Sequence, residues 1–218
     1  MVNQQAFIEF SLQHELLQLG SFTLKSGRTS PYFFNLGRVN SGAALAQLGA
    51  FYAQAFLDQP MLNSIDVLFG PAYKGIPIVT AMATALAEHH QKDYAFAFNR
   101  KEQKQHGEGG VLVGTTDLQG KRVLIVDDVM TAGTAVRESY TLLQSQGAQV
   151  AGVMVALDRQ EKGQSQLSAV QEVEQTYGVP VVSLMDLTAL VDFIAAHPSY
   201  QKYLSEMQVY QKTYGVFL

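Results

Sequence analysis

Two adjacent carboxylates, Asp127 and Asp128, close the apolar run Val123-Leu124-Ile125-Val126 and open the stretch Val129-Met130-Thr131-Ala132-Gly133-Thr134-Ala135. The run reads as a buried strand, and the small, hydroxylated residues after it lead into a helical pattern. In a parallel sheet, ligands bind beyond the carboxyl ends of the strands, where such a loop lies. Backbone N–H groups of Thr131, Gly133 and Thr134 at a helix N-terminus suit a phosphate. The Thr hydroxyls add donors, and Gly133 lets the backbone come close. Asp127 and Asp128 would repel a bare phosphate. Their chemistry is to accept hydrogen bonds from sugar hydroxyls and to hold Mg²⁺, directly or through water. A bare Asp-Asp pair also fits a solvated strand end before an ordinary cap; carboxylates beside a phosphate nest point to a sugar phosphate. Two other phosphate motifs fail. Gly70 and Gly75 have P-loop spacing, but Ile76-Pro77 stands where Lys-Ser/Thr is required, and no G-x-G-x-x-G follows a strand.

Three further clusters stand out. Arg100, Lys101, Lys104 and His106 are interleaved with Glu102 and Glu108, and glycines at 107, 109 and 110 loosen the stretch. Alone it reads as a solvated loop; beside a phosphate site it reads as a lid bringing cations to a pyrophosphate. Pro71-Ala72-Tyr73-Lys74-Gly75 lies between a strand and a helix, with Lys74 directed to the same sheet edge as Asp127. Turn chemistry alone also accounts for Pro71 and Gly75. Glu88-His89-His90 ends a helix, where His suits the dipole, so it is read as structural rather than as a metal site. His14-Glu15 lacks the second His of a zinc-protease helix and is read as surface.

The elements that position these residues follow from periodicity. Phe7, Ile8, Leu12, Leu16 and Leu17 predict a helix over 4–18, ended by Gly20. Ser-Gly, Ser-Pro and Asn-Ser-Gly punctuate 21–41, which predicts a small hairpin or hood. A helix is expected over 42–58. Strands are then expected at Ile65–Phe69, Tyr94–Phe98, Arg122–Val126, Val150–Leu157 and Val179–Leu184, with helices near 75–88, 132–146, 168–177, 186–195 and 199–213. Residues 99–120 show no sustained pattern. Apolar strands alternating with helices indicate an α/β fold: a five-stranded parallel sheet flanked by helices, with a small N-terminal hood. The expected organisation is one domain, with a hood over about 1–41, a core over about 42–218 and a mobile lid over about 100–114.

The 218 residues carry a net charge of −4 at a pI of about 5.7, so no global basic field attracts nucleic acid. Charged residues make up only 16%, below the usual fraction, which favours an oligomer. With no cysteine, disulfides and thiolate metal sites are excluded, and a hard ion such as Mg²⁺ fits the oxygen ligands that remain. Neither a signal peptide's basic start and apolar run nor an apolar stretch of membrane-spanning length is evident, and a cytoplasmic location is the default expectation.

The 123–135 segment resembles the motif by which type I phosphoribosyltransferases bind phosphoribosyl pyrophosphate (PRPP). The resemblance extends over nearly the whole chain to the orotate-using members of that family. It runs through Phe22-Thr23-Leu24-Lys25-Ser26-Gly27-Arg28, Ser30-Pro31-Tyr32-Phe33-Phe34-Asn35, Gly70–Pro77, Phe98–Glu102, Lys104, His106–Gly110 and Asp158-Arg159-Gln160-Glu161. It implies transfer of a phosphoribosyl group from PRPP to orotate, giving orotidine 5′-monophosphate and pyrophosphate, in the presence of Mg²⁺. It implies that Tyr73, Lys74, Arg100, Lys101, Lys104, His106 and the segment Asp127, Asp128, Val129, Met130, Thr131, Ala132, Gly133, Thr134, Ala135 bind PRPP. Lys101, Lys104 and His106 would reach the pyrophosphate from a neighbouring subunit of a homodimer, and with Asp127 and Asp128 would be catalytic. Lys25, Phe33, Phe34, Thr131 and Arg159 would form the orotate site. Two aromatics can flank a flat pyrimidine. The planar fork of Arg159 matches the carboxylate that orotate carries and that uracil and the purines lack; the plain alternatives are a surface pair of Arg159 with Glu161 and hood packing of Phe33 and Phe34. Two rivals remain: a phosphoribosyltransferase for another base, opposed by the hood and Arg159, and a PRPP-sensing regulator that binds nucleic acid without catalysis. The acidic pI, the lack of a DNA-binding module and the retained Lys101, Lys104 and His106 oppose the second.

Overall fold

A computed structural model describes residues 3–24, 27–101, 110–130, 133–163 and 166–216. The chain opens with helix α1 (Gln4–Gln13), capped by the Asn3 side chain on the Ala6 N–H. The periodicity predicted a longer helix through Leu17. Instead Glu15 takes a left-handed φ of 56°, and Leu16 and Leu17 pass into strand β1 (Leu17–Thr23). That strand pairs antiparallel with β2 (Thr29–Phe34), Leu17 opposite Phe34 and Leu19 opposite Tyr32. Apolar partners across the hairpin outweigh the helical spacing. Gly20, expected to end a helix, sits at a bulge between Leu19 and Phe22 with φ 154°, a conformation open to glycine.

Helix α2 (Gly42–Leu57) starts at Ser41, whose hydroxyl accepts from Ala44 N–H. From there strands and helices alternate: β3 (Val67–Gly70), α3 (Gly75–His90), β4 (Ala95–Asn99), β5 (Leu112–Gly114), β6 (Arg122–Val126), β7 (Val129–Met130), α4 (Thr134–Ser145), β8 (Gln149–Asp158), α5 (Ala169–Tyr177), β9 (Val181–Asp186), α6 (Leu187–Ala196) and α7 (Leu204–Tyr214). The sheet runs β5-β4-β3-β6-β8-β9. The five expected strands are parallel, as read from the sequence. Two pieces were not expected. β5, inside the patternless 99–120 stretch, pairs antiparallel with β4 at the edge; three residues are too short to leave a periodic signature. β7 pairs with β8 in the same register as β6, so the strand line resumes just beyond the Asp pair. The predicted last helix is divided: Pro198–Tyr203 is a 3-10 segment, followed by α7.

The sheet is buried on both faces. Leu68, Leu124, Val126 and Met154 face one core with α1, α2, α3 and α6, while Phe69, Val123, Ile125 and Val153 face the other with α4 and α5. This alternation along continuous apolar runs is the pattern of a parallel sheet covered by helices. α2 and α3 approach closely at Gly49, where a Cβ would collide with the Ala81 backbone. No described helix is long and apolar enough to cross a membrane.

Candidate active site

The parallel strands all point their carboxyl ends to one edge, and the loops there differ in how the helices after them begin. α5 and α6, which follow β8 and β9, are capped by Ser168 and Asp186 on the N–H groups of Gln171 and Ala189. α3 and α4, which follow β3 and the Asp pair, carry no side-chain cap. The first-turn N–H groups of a helix need an acceptor. In α3 the Gly75 and Ile76 N–H groups are already taken by the Pro71 and Tyr73 carbonyls and Pro77 has none, so the N-terminus of α4 is the one left to receive an anion. Gly133, the residue before α4, has φ 66°, so the turn into that helix is left-handed as a glycine allows.

The loop before α3 doubles back tightly. Gly75 N–H donates to the Pro71 carbonyl at 2.9 Å, and a Cβ on Gly70 would overlap the Gly75 carbonyl. Asn99, at the end of β4, accepts from the Ala72 N–H at 2.8 Å and ties this loop to the neighbouring strand. Tyr73 is 65% exposed, and the Lys101 ammonium lies 4.6 Å from its ring centroid. Lys74 Nζ reaches Asp128 Oδ2 at 2.6 Å, joining the two loops. Arg100, half-buried, donates to the Gly110 carbonyl at 3.4 Å, and its N–H pairs with Val111 at 2.8 Å.

Asp127 and Asp128 are 7% and 9% exposed, not solvated. Asp127 Oδ1 accepts from the Asp128 N–H, and Asp128 Oδ1 from the Val129 N–H. The buried Tyr52 on α2 donates to the Asp127 carbonyl at 2.7 Å and braces the pair from below. Burial, then the neighbouring Asp128 charge, raise the Asp127 carboxyl to about 7. A buried like-charged pair of this kind is relieved by a cation or by sugar hydroxyls, so the donor set fits Mg²⁺. Val129 is half-buried, Met130 buried, and Thr134 and Ala135 exposed at the start of α4.

The expected base site is placed in part. Arg159 follows β8, with its guanidinium 4.6 Å from the Tyr32 ring and hydrogen-bonded to Glu161. Phe33 is half-buried near Phe22, ring centroids 5.6 Å apart, whereas Phe34 is 8% exposed within the core. Successive strand residues point to opposite faces. One ring is therefore available where two flanking rings were expected. Lys25, Lys104, His106, Thr131 and Ala132 lie outside the described residues. His89 and His90 occupy the last turn of α3, and His14 packs on Phe10 at 4.7 Å. Among the described residues no cluster of His, Asp or Glu suits a metal by itself. Tyr52, Asn99 and Glu161 were not singled out as site residues from the sequence. Their roles depend on partners distant in the chain; Glu161 drew notice as part of the Asp-Arg-Gln-Glu run and as a plain surface partner of Arg159.

The phosphoribosyl transferase domain family model matches residues 36–181, which span both uncapped helices and the Asp pair. An orotate phosphoribosyltransferase of Klebsiella pneumoniae (strain 342) is 55% identical over 213 residues, covering 98% of each chain. The chain belongs to the orotate phosphoribosyltransferase family. A relative of the same name from Nitrosococcus oceani is 57% identical over 213 residues, covering 98% of this chain and 96% of its own. The crystal structure of an orotate phosphoribosyltransferase from Francisella tularensis superposes with a TM-score of 0.87 at 43% identity, covering 96% of this chain and 99% of that one. As a member of this family the chain is a phosphoribosyl-transferring enzyme of the glycosyltransferase type, and its α/β fold, a mostly parallel sheet between helices, is the family's.

Proposed function

We propose that this chain transfers the 5-phosphoribosyl group of PRPP to orotate, releasing pyrophosphate and forming orotidine 5′-monophosphate for pyrimidine (UMP) biosynthesis, as a cytoplasmic homodimer. The observation that carries the reading is the buried, Lys74-linked Asp127–Asp128 pair placed just before the uncapped N-terminus of α4. The α4 amides donate to a phosphate of PRPP, and the ribose hydroxyls donate to the carboxylates. Lys74 is drawn between Asp128 and the incoming pyrophosphate, with Tyr73 and Lys101 at the outer rim. Mg²⁺, held by PRPP with Asp127 and Asp128, would add positive charge next to the departing pyrophosphate.

As the ribosyl–oxygen bond to pyrophosphate breaks, the ribose ring takes on positive charge, and the orotate ring nitrogen bonds to the anomeric carbon while its N–H proton passes to the departing pyrophosphate or to water. No protein nucleophile is needed; the chain contributes positioning and a fixed positive field for the leaving group. Lys101, Lys104 and His106 serve as a lid that excludes water, which would otherwise hydrolyse PRPP. Arg159, with Lys25, Thr131 and a Phe33 ring, selects orotate through its carboxylate. The low charged fraction and the groove between α2 and α3, where Leu45, Ala46, Pro77 and Ala81 lie beside Thr80 and Glu88, support self-association.

The test is pyrophosphate release from PRPP and Mg²⁺ with each free base in turn. Orotate should be consumed, and adenine, hypoxanthine and uracil should not. Preference for any purine would overturn the assignment of the base.

A further inference from the structure

Glu161 receives more side-chain donors than any other carboxylate described above, and none of them belongs to the phosphate half of the site. Its Oε1 accepts from Arg159 Nε at 3.1 Å, Arg159 Nη2 at 2.7 Å and the Tyr32 hydroxyl at 3.0 Å. Its Oε2 accepts from Arg28 Nη1 at 3.3 Å. The side chains of Glu161 and Arg159 are each only 11% exposed, so this is not a loose surface pair. Arg28 and Tyr32 belong to the β1–β2 hairpin, while Arg159 and Glu161 follow β8, so the carboxylate joins the hood to the sheet edge.

A guanidinium has two edges that can present paired N–H groups. Glu161 takes the edge formed by Nε and Nη2, and the Tyr32 ring covers one face at 4.6 Å. Nη2 also lies 3.5 Å from the Tyr210 hydroxyl, and Nη1 has no hydrogen-bond partner among the described residues. The second edge, Nη1 with Nη2, therefore carries only the long Tyr210 hydrogen bond and is the one open to a stronger acceptor. We infer that Glu161 is a positioning residue for base recognition: it fixes one edge of Arg159 so that the other is presented to the carboxylate of the substrate. The inference rests on the reading that Arg159 meets the orotate carboxylate.

The experiment compares the KM for orotate and for PRPP in Arg159→Ala, Glu161→Gln, their double variant and Arg28→Gln. Arg159→Ala should raise the orotate KM and leave the PRPP KM within about twofold; without that split, the reading of Arg159 itself fails. Given that split, Glu161→Gln should raise the orotate KM about tenfold or more, since a displaced bidentate donor loses its alignment, with the PRPP KM again unchanged. The double variant should be no worse for orotate than Arg159→Ala, because Glu161 acts through Arg159. Arg28→Gln leaves the Arg159 contact in place and should keep the orotate KM near that of the parent. An equal rise in both KM values, losses that add in the double variant, or an Arg28→Gln effect as large as that of Glu161→Gln would show that Glu161 merely ties down the hood. Normal PRPP binding by Glu161→Gln demonstrates that it is folded. If it does not fold, Glu161→Asp, which keeps the charge but shortens the reach, is held to the same KM split.

Discussion

The Asp127–Asp128 pair carries a cost that its position explains. Two carboxylates, 7% and 9% exposed, sit side by side, and among the described residues Lys74, paired with Asp128, is the cation that eases both. Lys74 is itself half exposed, so that ion pair contributes little to stability. Buried like charges are kept where a ligand makes use of them. Asp127→Asn and Asp128→Asn should accordingly separate function from stability. The affinity for Mg²⁺–PRPP should fall by about tenfold or more, while the melting temperature of the free protein stays level or rises, because a charge leaves a buried pair. Calorimetric titration beside thermal unfolding checks both; wild-type affinity and turnover in the double variant would remove the pair from the site. At this scale the sequence was legible where chemistry is local. The strand, the two Asp residues and the Gly-Thr turn are contiguous, and their types state their use. Glu161 was not legible as a hub, because its donors Arg28 and Tyr32 are 133 and 129 residues away, and a fold has to bring them together. The flanking pair of rings failed for the opposite reason: adjacent residues looked like partners, but a strand separates Phe33 from Phe34.

Elements that the sequence displayed with full periods were found where expected, including Arg122–Val126 to the residue. Those it misread were short or contested. Leu16 and Leu17 continue the helical spacing of α1 yet complete a hairpin, since pairing with Phe34 and Tyr32 lies beyond any local window. The strand β8 also ends on a feature with a pH signature. Asp158, opposite Asp186 on β9, has its carboxyl raised to about 6, first by burial and then by Asp186, Glu174 and Glu161, against the hydrogen bond from the Gln160 N–H. A carboxyl whose folded pKa lies above its unfolded value holds its proton more tightly in the native state. Its contribution is full below about pH 4 and is lost as pH rises through about 6. Asp158→Asn keeps the acceptor for Gln160 and removes the charge. It should match the parent near pH 4 and exceed it at pH 8 by on the order of 2 kcal/mol, at about 1.4 kcal/mol per pKa unit. Denaturant unfolding at the two pH values is the measurement; equal stability at pH 8 would show that the carboxylate is ionised without penalty.

At the scale of the whole molecule, the decisive matter is which subunit's lid serves which site. In a single chain the Lys101 ammonium lies over that chain's own Tyr73, so a lid acting on its own subunit is a concrete alternative. The proposal that residues near 100–110 serve the partner's site distinguishes itself by complementation. Take Lys101→Ala with Lys104→Ala in one protein and Asp127→Asn with Asp128→Asn in another; each homodimer should be inactive. In a mixed dimer with shared sites, one site receives both defects and the other receives neither. Random pairing of equal, freely exchanging subunits makes about half the dimers mixed, and half the sites in those are intact, so activity should recover to roughly a quarter of the wild-type value. A lid confined to its own subunit gives no recovery, because every site then keeps the defect of its own chain. Exchange has to be established first, by native mass measurement of differently tagged chains. With mixed dimers present and activity at background, the shared site is excluded and Lys101 is assigned to its own Tyr73 loop. The proposed transfer reaction would survive that outcome, since the α4 N-terminus and the Asp pair on which the proposal rests belong to one chain.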